Sequence, residues 1–297
     1  MVVTNPIIDI HHHAIFQNHS KVLNLPKWSI ESDCEALERM GIIGALLSLP
    51  ISGSSEIVKK INTNLAELTS FDKNKYGFLA SIPLGDIDAA IKEVDFAADQ
   101  LNADGFIVPT NFEGTYLGSE KLVPLLEKLN QKNAIVLVHP TAPSGDNLPT
   151  FNRDLSVYEY PLETTRSVMD LIYNDRCNQF PNIKWIISHA GGTIPYLAYR
   201  LSIAGEWNGI TQSSEQILQS IKSLYFDLAL STSPTVFSCL QNLINTDNIL
   251  FGTDFPLRYE TGVLRSINEL RQYDNYSELE KSKIFAGNAK RIFPRFQ

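Results

Sequence analysis

The chain has 297 residues, of which 43% are hydrophobic and 20% are charged, values typical of a soluble globular protein with a large core. The formal net charge of −8 excludes a general basic surface for nucleic acid. The N-terminus has no basic segment followed by a long apolar stretch, and no uncharged apolar run approaches ~18 residues, so we expect no membrane partner and a cytoplasmic protein.

Short apolar segments rich in β-branched residues recur along the chain and predict strands. Their hydrophobicity is nearly continuous rather than alternating, as parallel strands covered on both faces require. The eight predicted strands are Ile7–His13, Ile42–Pro50, Tyr76–Leu84, Asp104–Phe112, Ala134–Thr141, Ile183–Gly191, Leu224–Leu230 and Ile249–Pro256.

Helical patterns lie between these strands. A segment opening at Ser29 reaches Met40 and stops at Gly41, while Asp86 and Ser119 precede two further amphipathic stretches. Eight strands with a helix after nearly every one predict an α/β protein, a (β/α)₈ TIM barrel formed as one domain over residues 1–297. A doubly wound open sheet is the competitor. No G-x-G-x-x-G follows the first strand, so the barrel is favoured and no organic cofactor is expected.

One connection is unusually long. Residues Thr141–Leu162, which follow the fifth strand, are rich in Pro, Asn, Asp and Ser. Loops of this length without their own structure are uncommon and often act as lids, although a surface loop is the plain alternative.

The first strand ends in three consecutive histidines. Because residues i and i+2 of a strand point the same way, His11 and His13 share one face and His12 faces the opposite side. Two neighbouring imidazoles in an apolar setting favour a divalent metal, which takes a lone pair from each neutral ring. Ordinary polar residues at a strand terminus are an equally good explanation of H-x-H alone.

Other strand ends shift that balance towards metal. His139 ends the fifth strand, His189 the sixth, and Asp254 lies at the end of the eighth. The carboxyl ends of the strands are where barrel enzymes place their chemistry. Three histidines and a carboxylate suit one divalent ion, foremost Zn²⁺, with Mn²⁺, Fe²⁺ or Co²⁺ as alternatives. Five candidates exceed a four-coordinate shell with an open position, and His189 is our choice for an acid–base role because the following Gly191–Gly192 permits close backbone approach.

The motifs IIDIHHH, LVHPT, SHAGGTIPYLAYR and LFGTDFP, taken in this order, resemble the amidohydrolase superfamily. The resemblance is to its branch of metal-dependent decarboxylases related to aminocarboxymuconate-semialdehyde decarboxylase, and it spans nearly the whole chain. The segments DGFIVPTNFEGTYLG and LGSEKLVPLLEKLNQKNAIVLVHPTAP look closest to members that act on salicylate-like acids, such as the 6-methylsalicylate decarboxylases.

The resemblance implies a set of residue roles. Metal ligation falls to His11, His13, His139 and Asp254. His189 serves catalysis, and Arg200, eleven residues later, matches an arginine that reaches into the partner subunit's site to bind the substrate carboxylate, which implies a homodimer. The superfamily's strand-four lysine is missing from DGFIVPTNF, which argues for one metal, and no arginine precedes Arg39, which favours a monocarboxylate substrate.

We therefore expect a non-oxidative decarboxylase of a small hydroxylated aromatic or enol-type acid. The proton donor is either Asp254 or a metal-bound water with His189, and the sequence leaves this choice open. Phe16 and Asn111 are predicted pocket residues, and His12 is predicted to be dispensable. Two alternatives stand beside this expectation: a hydrolase of a lactone, ester or amide, since the same ligand set can activate water, and a noncatalytic barrel with a structural metal.

Overall fold

The computed structural model describes residues 5–16, 28–145, 148–149, 151–207 and 209–297. Eight strands pair in chain order into one sheet, and all the pairs are parallel. The strands are β1 Ile7–His13, β2 Ile42–Ser48, β3 Tyr76–Ser81, β4 Gly105–Pro109, β5 Ile135–His139, β6 Lys184–Ile187, β7 Tyr225–Asp227 and β8 Ile249–Leu250.

Helices follow the strands, which confirms the predicted (β/α)₈ barrel. Their bounds are α1 Ile30–Met40, α2 Ser55–Thr69, α3 Ile87–Asp99, α4 Val123–Gln131, α5 Glu159–Tyr173, α6 Arg176–Gln179, α7 Ile194–Ser202, α8 Ser214–Ser223, α9 Pro234–Leu243, α10 Glu260–Gln272, α11 Glu278–Ser282 and α12 Asn288–Ile292. No helix among the described residues is both long and apolar enough to span a membrane.

Local signals account for the helix ends. At α1 the Ser29 hydroxyl accepts from the Ser32 amide while the Ser32 side chain accepts from the Ser29 amide, a reciprocal capping box. Gly41 ends the same helix at φ 74°, where a residue without a Cβ is favoured. Asp86 caps α3 by accepting from the Ala89 amide.

The core consists of two apolar layers. One layer lies between the strands and the helices. The other fills the barrel with alternate strand residues such as Ile8, Ile10, Leu46 and Leu137, and residues near the C-terminus, among them Phe293, pack against it. Continuous hydrophobicity along the strands follows from this burial on both faces.

A bulge in β1 decides which way the histidines point. Ile8 and Ile10 face the barrel interior, so strict alternation would place His12 inside as well. The pairing of β1 with β2 shifts register between Asp9 and His12, and this irregularity sends His12 outward with Asp9 while His11 turns to the mouth.

The barrel closes between β8 and β1. The His11 carbonyl accepts from the amides of Thr253 and Asp254 at 3.3 and 2.9 Å, and the His13 amide donates to the Phe255 carbonyl at 2.8 Å. Gly252 lies so close that an added Cβ would stand 2.7 Å from the His11 Cβ, so a side chain there would push the two strands apart.

Several predicted bounds were wrong. The last two strands are shorter than predicted, because the polypeptide leaves the sheet before Ala229 and Asp254 to form loops at the mouth. The hydrogen-bonded part of the fourth strand ends at Pro109, and Asn111–Phe112 pairs instead with Thr115–Tyr116 in a small hairpin.

The long connection after β5 is present but ends earlier than predicted. Residues 159–162 form the first turn of α5, preceded by a 3₁₀ turn at Leu155–Val157. An added Cβ at Gly192 would overlap the Pro161 carbonyl, so this turn of α5 packs directly on the loop that follows His189. Residues 146–147 and 150 of the predicted loop lie outside the described residues.

His12 faces away from the mouth, as predicted, but its contacts argue against the prediction that it is dispensable. It is fully buried, with Nδ1 2.8 Å from Asp9 Oδ2 and Nε2 2.9 Å from Asp33 Oδ1. Burial opposes protonation of this ring, yet the Asp33 and Asp9 carboxylates raise the pKa of His12 to about 10. The imidazolium therefore joins β1 to α1, and Asp33 continues the contact to the Tyr76 hydroxyl of β3.

We predict that His12→Ala lowers the free energy of unfolding by about 3–5 kcal/mol, because it leaves two buried carboxylates without their shared cation. Denaturant unfolding of the purified variant measures this loss. Lys132→Ala removes surface ion pairs with Asp99 and Asp95 and is the control, with an expected loss of about 1 kcal/mol or less. Equal losses for the two variants would contradict the structural role of His12.

Candidate metal centre and active site

Four side chains converge at the carboxyl ends of β1, β5 and β8. One ligand atom from each of His11, His13, His139 and Asp254 lies within 4.8 Å of the other three, and all four residues are buried. The centroids of the three rings are 5.0 to 5.1 Å apart. Two donors that are each about 2.1 Å from one ion are at most about 4.2 Å apart, so small shifts of these ligand atoms let the four residues share a single cation.

Hydrogen bonds fix the tautomer of two of these rings. His11 Nδ1 is 2.8 Å from Asp227 Oδ2, and His139 Nδ1 is 2.9 Å from the Pro140 carbonyl oxygen. A carboxylate and a carbonyl only accept, so each Nδ1 carries the proton and each Nε2 presents its lone pair. Those two Nε2 atoms are buried and have no hydrogen-bond partner among the described residues.

The third ring is fixed through a serine. Ser48 Oγ donates its only proton to the His12 carbonyl at 2.9 Å, so its 3.1 Å contact with His13 Nδ1 is one in which the ring donates. His13 Nε2 then directs a lone pair at Asp254 Oδ1, 2.9 Å away. Two electron-rich atoms at this distance need a proton or a cation between them.

The charges around the cluster agree with a bound cation. Burial and the neighbouring imidazoles lower the pKa of His139 well below its ordinary value, and burial also lowers the pKa of His13. Burial opposes protonation of His11, but the Asp227 carboxylate outweighs it and raises the pKa of His11 to about 9. Burial favours the neutral acid at Asp254, yet the neighbouring imidazoles of His13 and His11 hold its pKa below the ordinary range.

These donors fit one divalent metal. Two buried Nε2 atoms lack a hydrogen-bond partner, and a third faces a carboxylate. A metal that binds to these atoms displaces the proton that the cluster would otherwise hold. Nitrogen and oxygen donors of this kind suit zinc and other first-row divalent ions.

His189 stands beside this cluster without joining it. Its ring centroid is 5.1 Å from that of His11 and 6.0 Å from that of His139. Its Nδ1 is 3.0 Å from the Ala229 carbonyl oxygen, which fixes the proton on Nδ1, and no described residue hydrogen-bonds its Nε2. His189 has φ 53°, a backbone conformation that costs free energy in a residue with a side chain.

Asp227 is a site residue that the sequence reasoning missed. It ends β7, is fully buried, and accepts hydrogen bonds from His11 Nδ1 and from the amides of His189 and Ala229. With His11 and His189 it forms a second group of possible ligands, but its two oxygens already accept three hydrogen bonds, so a separate metal site there is disfavoured. Its signal was partial, since LYFDLAL carries one carboxylate in the middle of the predicted seventh strand, and only the structure ends that strand at Asp227.

The three predicted substrate-binding residues lie in three different environments. Arg200 is exposed in the last turn of α7 and pairs with no carboxylate among the described residues. Phe16 follows β1 and packs partly buried against the core. Asn111 is buried, and its amide donates to Glu163 at 2.7 Å and to the Ala142 carbonyl at 3.1 Å. Contact of these residues with substrate stays a prediction.

Comparisons with known proteins decide the family. The amidohydrolase family profile matches residues 55–295. The chain belongs to the amidohydrolase family. It is 30% identical to 6-methylsalicylic acid decarboxylase of Penicillium expansum over 98% of this chain and 97% of that protein. It is 23% identical to 2-amino-3-carboxymuconate-6-semialdehyde decarboxylase of Dictyostelium discoideum over 79% of this chain and 65% of that protein. The predicted resemblance is thus confirmed.

Solved structures share the fold. A crystal structure described as an amidohydrolase II superposes with a TM-score of 0.87 at 26% identity, covering 96% of this chain and 99% of that one. Dihydroxybenzoic acid decarboxylase of Polaromonas sp. JS666, solved with bound manganese and the inhibitor 2-nitroresorcinol, gives a TM-score of 0.83 at 19% identity, covering 99% of this chain and 98% of that one.

We predict that His139→Ala loses metal because it removes one of four donors, whereas His189→Ala keeps metal because its Nε2 is not among the convergent atoms. Elemental analysis and chelator competition on the folded variants measure both. Loss of metal from His189→Ala together with retention by His139→Ala would reverse the division of roles.

Proposed function

We propose that this protein is a metal-dependent, non-oxidative decarboxylase of a small hydroxylated aromatic acid of the salicylate type. The observation that carries the proposal is the full-length similarity to a 6-methylsalicylic acid decarboxylase, combined with three imidazoles fixed to present their Nε2 lone pairs beside His189. The enzyme class is a carbon–carbon lyase. The metal is one divalent ion, with Zn²⁺ first and Mn²⁺ as the alternative.

The reaction removes CO₂ from an sp² ring carbon, and that carbon must gain a proton. When bound, the metal would orient the substrate's carboxylate and adjacent hydroxyl and stabilise negative charge. The ligands are His11, His13, His139 and Asp254. Burial of these residues excludes water from the inner side of the site and strengthens their electrostatic interactions.

His189 is the proposed proton donor. The Ala229 carbonyl accepts from His189 Nδ1, so the orientation of the ring and the direction of Nε2 are fixed. No described residue hydrogen-bonds Nε2. When the His189 ring carries a proton on Nε2, it gives that proton to the ring carbon of the substrate. The bond to the carboxylate then breaks, its electron pair restores the aromatic ring, CO₂ leaves, and solvent returns a proton to His189. Asp254 is disfavoured as the donor because its Oδ1 faces the ring nitrogens of His13 and His11.

Hydrolysis remains the alternative that the donor set serves equally well, since a family of hydrolases lends the superfamily its name. The names of the relatives favour loss of CO₂: four relatives at 30–32% identity are all named decarboxylases. Identification of the reaction product therefore distinguishes decarboxylation from hydrolysis.

We predict that metal-loaded protein releases CO₂ from 6-methylsalicylate under anaerobic conditions, with 3-methylphenol formed in equal amount, because no oxidant takes part. Salicylates with other ring substituents, lactones and esters are assayed in parallel, and gas and product are quantified. Chelator treatment should abolish turnover and added metal restore it. Cleavage of lactones or esters without CO₂ would replace this assignment with the hydrolase.

The proposal includes a homodimer and a cytoplasmic location. Tyr196 and Tyr199 are 81% and 78% exposed on the same helix as Arg200, and large exposed aromatics are typical of an interface. An arginine on such a face is available to bind a substrate carboxylate in the neighbouring subunit.

We predict that inactive His189→Ala and inactive Arg200→Ala proteins regain activity when they are dissociated, mixed and reassociated. A mixed dimer then holds one site with both residues intact, so about a quarter of the wild-type activity is expected in a statistical mixture. Sedimentation of each variant checks that dimers form. Mixed dimers without activity would confine Arg200 to its own chain or to no catalytic role.

A further inference from the structure

Asp227 lies between the metal ligand His11 and the proposed proton donor His189. Its Oδ2 is 2.8 Å from His11 Nδ1, while its Oδ1 accepts from the amides of His189 at 3.0 Å and Ala229 at 2.9 Å. All of these contacts are internal to the chain and Asp227 has no exposed surface. Each of its two oxygens therefore serves a different part of the site.

We propose that Asp227 is a positioning residue that does two separable things: Oδ2 fixes the tautomer with which His11 binds metal, and Oδ1 holds the backbone that aims His189. This inference rests on the proposed function for the role of His189, and on metal binding alone for the role of His11.

The His11 half follows from proton placement. A carboxylate opposite Nδ1 accepts a proton and offers none, so the Nδ1–H tautomer is the only neutral form that makes this hydrogen bond. Nε2 then carries the lone pair that faces the other ligands. Carboxylates that orient a ligating histidine in this way typically contribute ~10–100-fold to metal affinity.

The His189 half follows from the loop geometry. His189 and the next residue, Ala190, both have positive φ, 53° and 54°, and such a turn persists only where its surroundings hold it. Oδ1 of Asp227 accepts the His189 amide directly. It also accepts the Ala229 amide, and the carbonyl of Ala229 is the group that receives His189 Nδ1–H. One oxygen therefore anchors both the backbone of His189 and the acceptor of its ring.

The variant Asp227→Asn separates the two halves. Its amide oxygen can replace Oδ1 and keep both backbone hydrogen bonds, which places the amide NH₂ opposite His11 Nδ1. Two N–H groups cannot face each other, so His11 must move its proton to Nε2 and lose the lone pair that binds metal. The flipped amide would instead leave two backbone N–H groups against an NH₂, which is the costlier arrangement. Asp227→Ala removes both halves.

The experiment compares wild type, Asp227→Asn and Asp227→Ala by chelator competition for Zn²⁺ and by ¹⁵N chemical shifts of the histidine rings. The shifts are recorded on metal-free protein at a pH above about 9, where the His11 ring is neutral and its two tautomers are distinguishable. We expect both variants to bind Zn²⁺ ~10–100-fold more weakly. We expect the His11 ring to change from the Nδ1–H to the Nε2–H form in Asp227→Asn. Wild-type affinity in Asp227→Asn with an unchanged ring would overturn the His11 half.

Turnover at saturating metal tests the other half. Asp227→Asn should recover most of the wild-type kcat once its site is filled, whereas Asp227→Ala should remain ~10²-fold lower or worse because His189 is no longer aimed. Equal kcat for the two variants at saturating metal would overturn the His189 half. Should wild-type protein bind metal but decarboxylate nothing, the proposed function fails while the affinity and tautomer results still judge the His11 half.

Asp33→Asn is the matched control. Asp33 is a buried carboxylate that also accepts from an imidazole, that of His12, but on the outer side of β1. The same substitution there should lower the midpoint of thermal unfolding and leave Zn²⁺ affinity and the His11 ring signals unchanged. A loss of metal affinity as large as that of Asp227→Asn would show that any buried Asp→Asn change disturbs the site, and would overturn the proposal.

Discussion

The site depends on the hydrogen bonds of one buried carboxylate, that of Asp9. Its Oδ1 accepts from the amides of His11 and Thr253 at 3.1 and 3.0 Å, and its Oδ2 accepts from the His12 ring at 2.8 Å and from the Thr253 hydroxyl. One side chain therefore joins the first strand to the segment after the last strand, where Asp254 lies. This side chain reinforces the backbone hydrogen bonds that close the barrel between β8 and β1, and that closure brings the histidines of one strand to the carboxylate of the other.

The site is organised by acceptors placed behind each imidazole. A carboxylate, a carbonyl and a serine oxygen take the Nδ1 protons of His11, His139 and His13, and a further carbonyl takes that of His189. Because these acceptors lie on the strands and loops of the scaffold, the direction of each Nε2 is decided by the fold. The ring of a free histidine would exchange between tautomers, and its affinity for metal would fall accordingly.

Two residues of the proposed active site, at the mouth of the barrel, have strained backbone conformations. His189 and Asp254 both have positive φ, 53° and 62°, and each is held by hydrogen bonds to residues of a neighbouring strand. Such conformations are typical of active sites, where a side chain has to be aimed in a direction that regular structure does not provide. The manganese-containing neighbour shares the fold, and in this chain the donor set at that edge fits a divalent ion.

The sequence by itself determined the barrel and the main members of the site. Eight buried apolar segments require a parallel sheet covered on both faces, and polar residues at the ends of parallel strands must share one edge, so His139, His189 and Asp254 were predictable. Asp227 escaped this rule because the seventh strand was predicted to reach Leu230, which put the carboxylate at its middle, whereas the structure ends the strand at Asp227.

Only the tertiary structure decided how these side chains are held. The bulge that turns His11 and His13 to the mouth depends on pairing with β2, and no local signal in IIDIHHH marks it. The imidazolium of His12 exists because Asp33 arrives from a helix and Asp9 from its own strand. A sequence shows which groups can carry a proton or bind a metal. The acceptor that fixes each proton comes from residues distant in the chain, so only the packed fold decides which acceptor meets which ring.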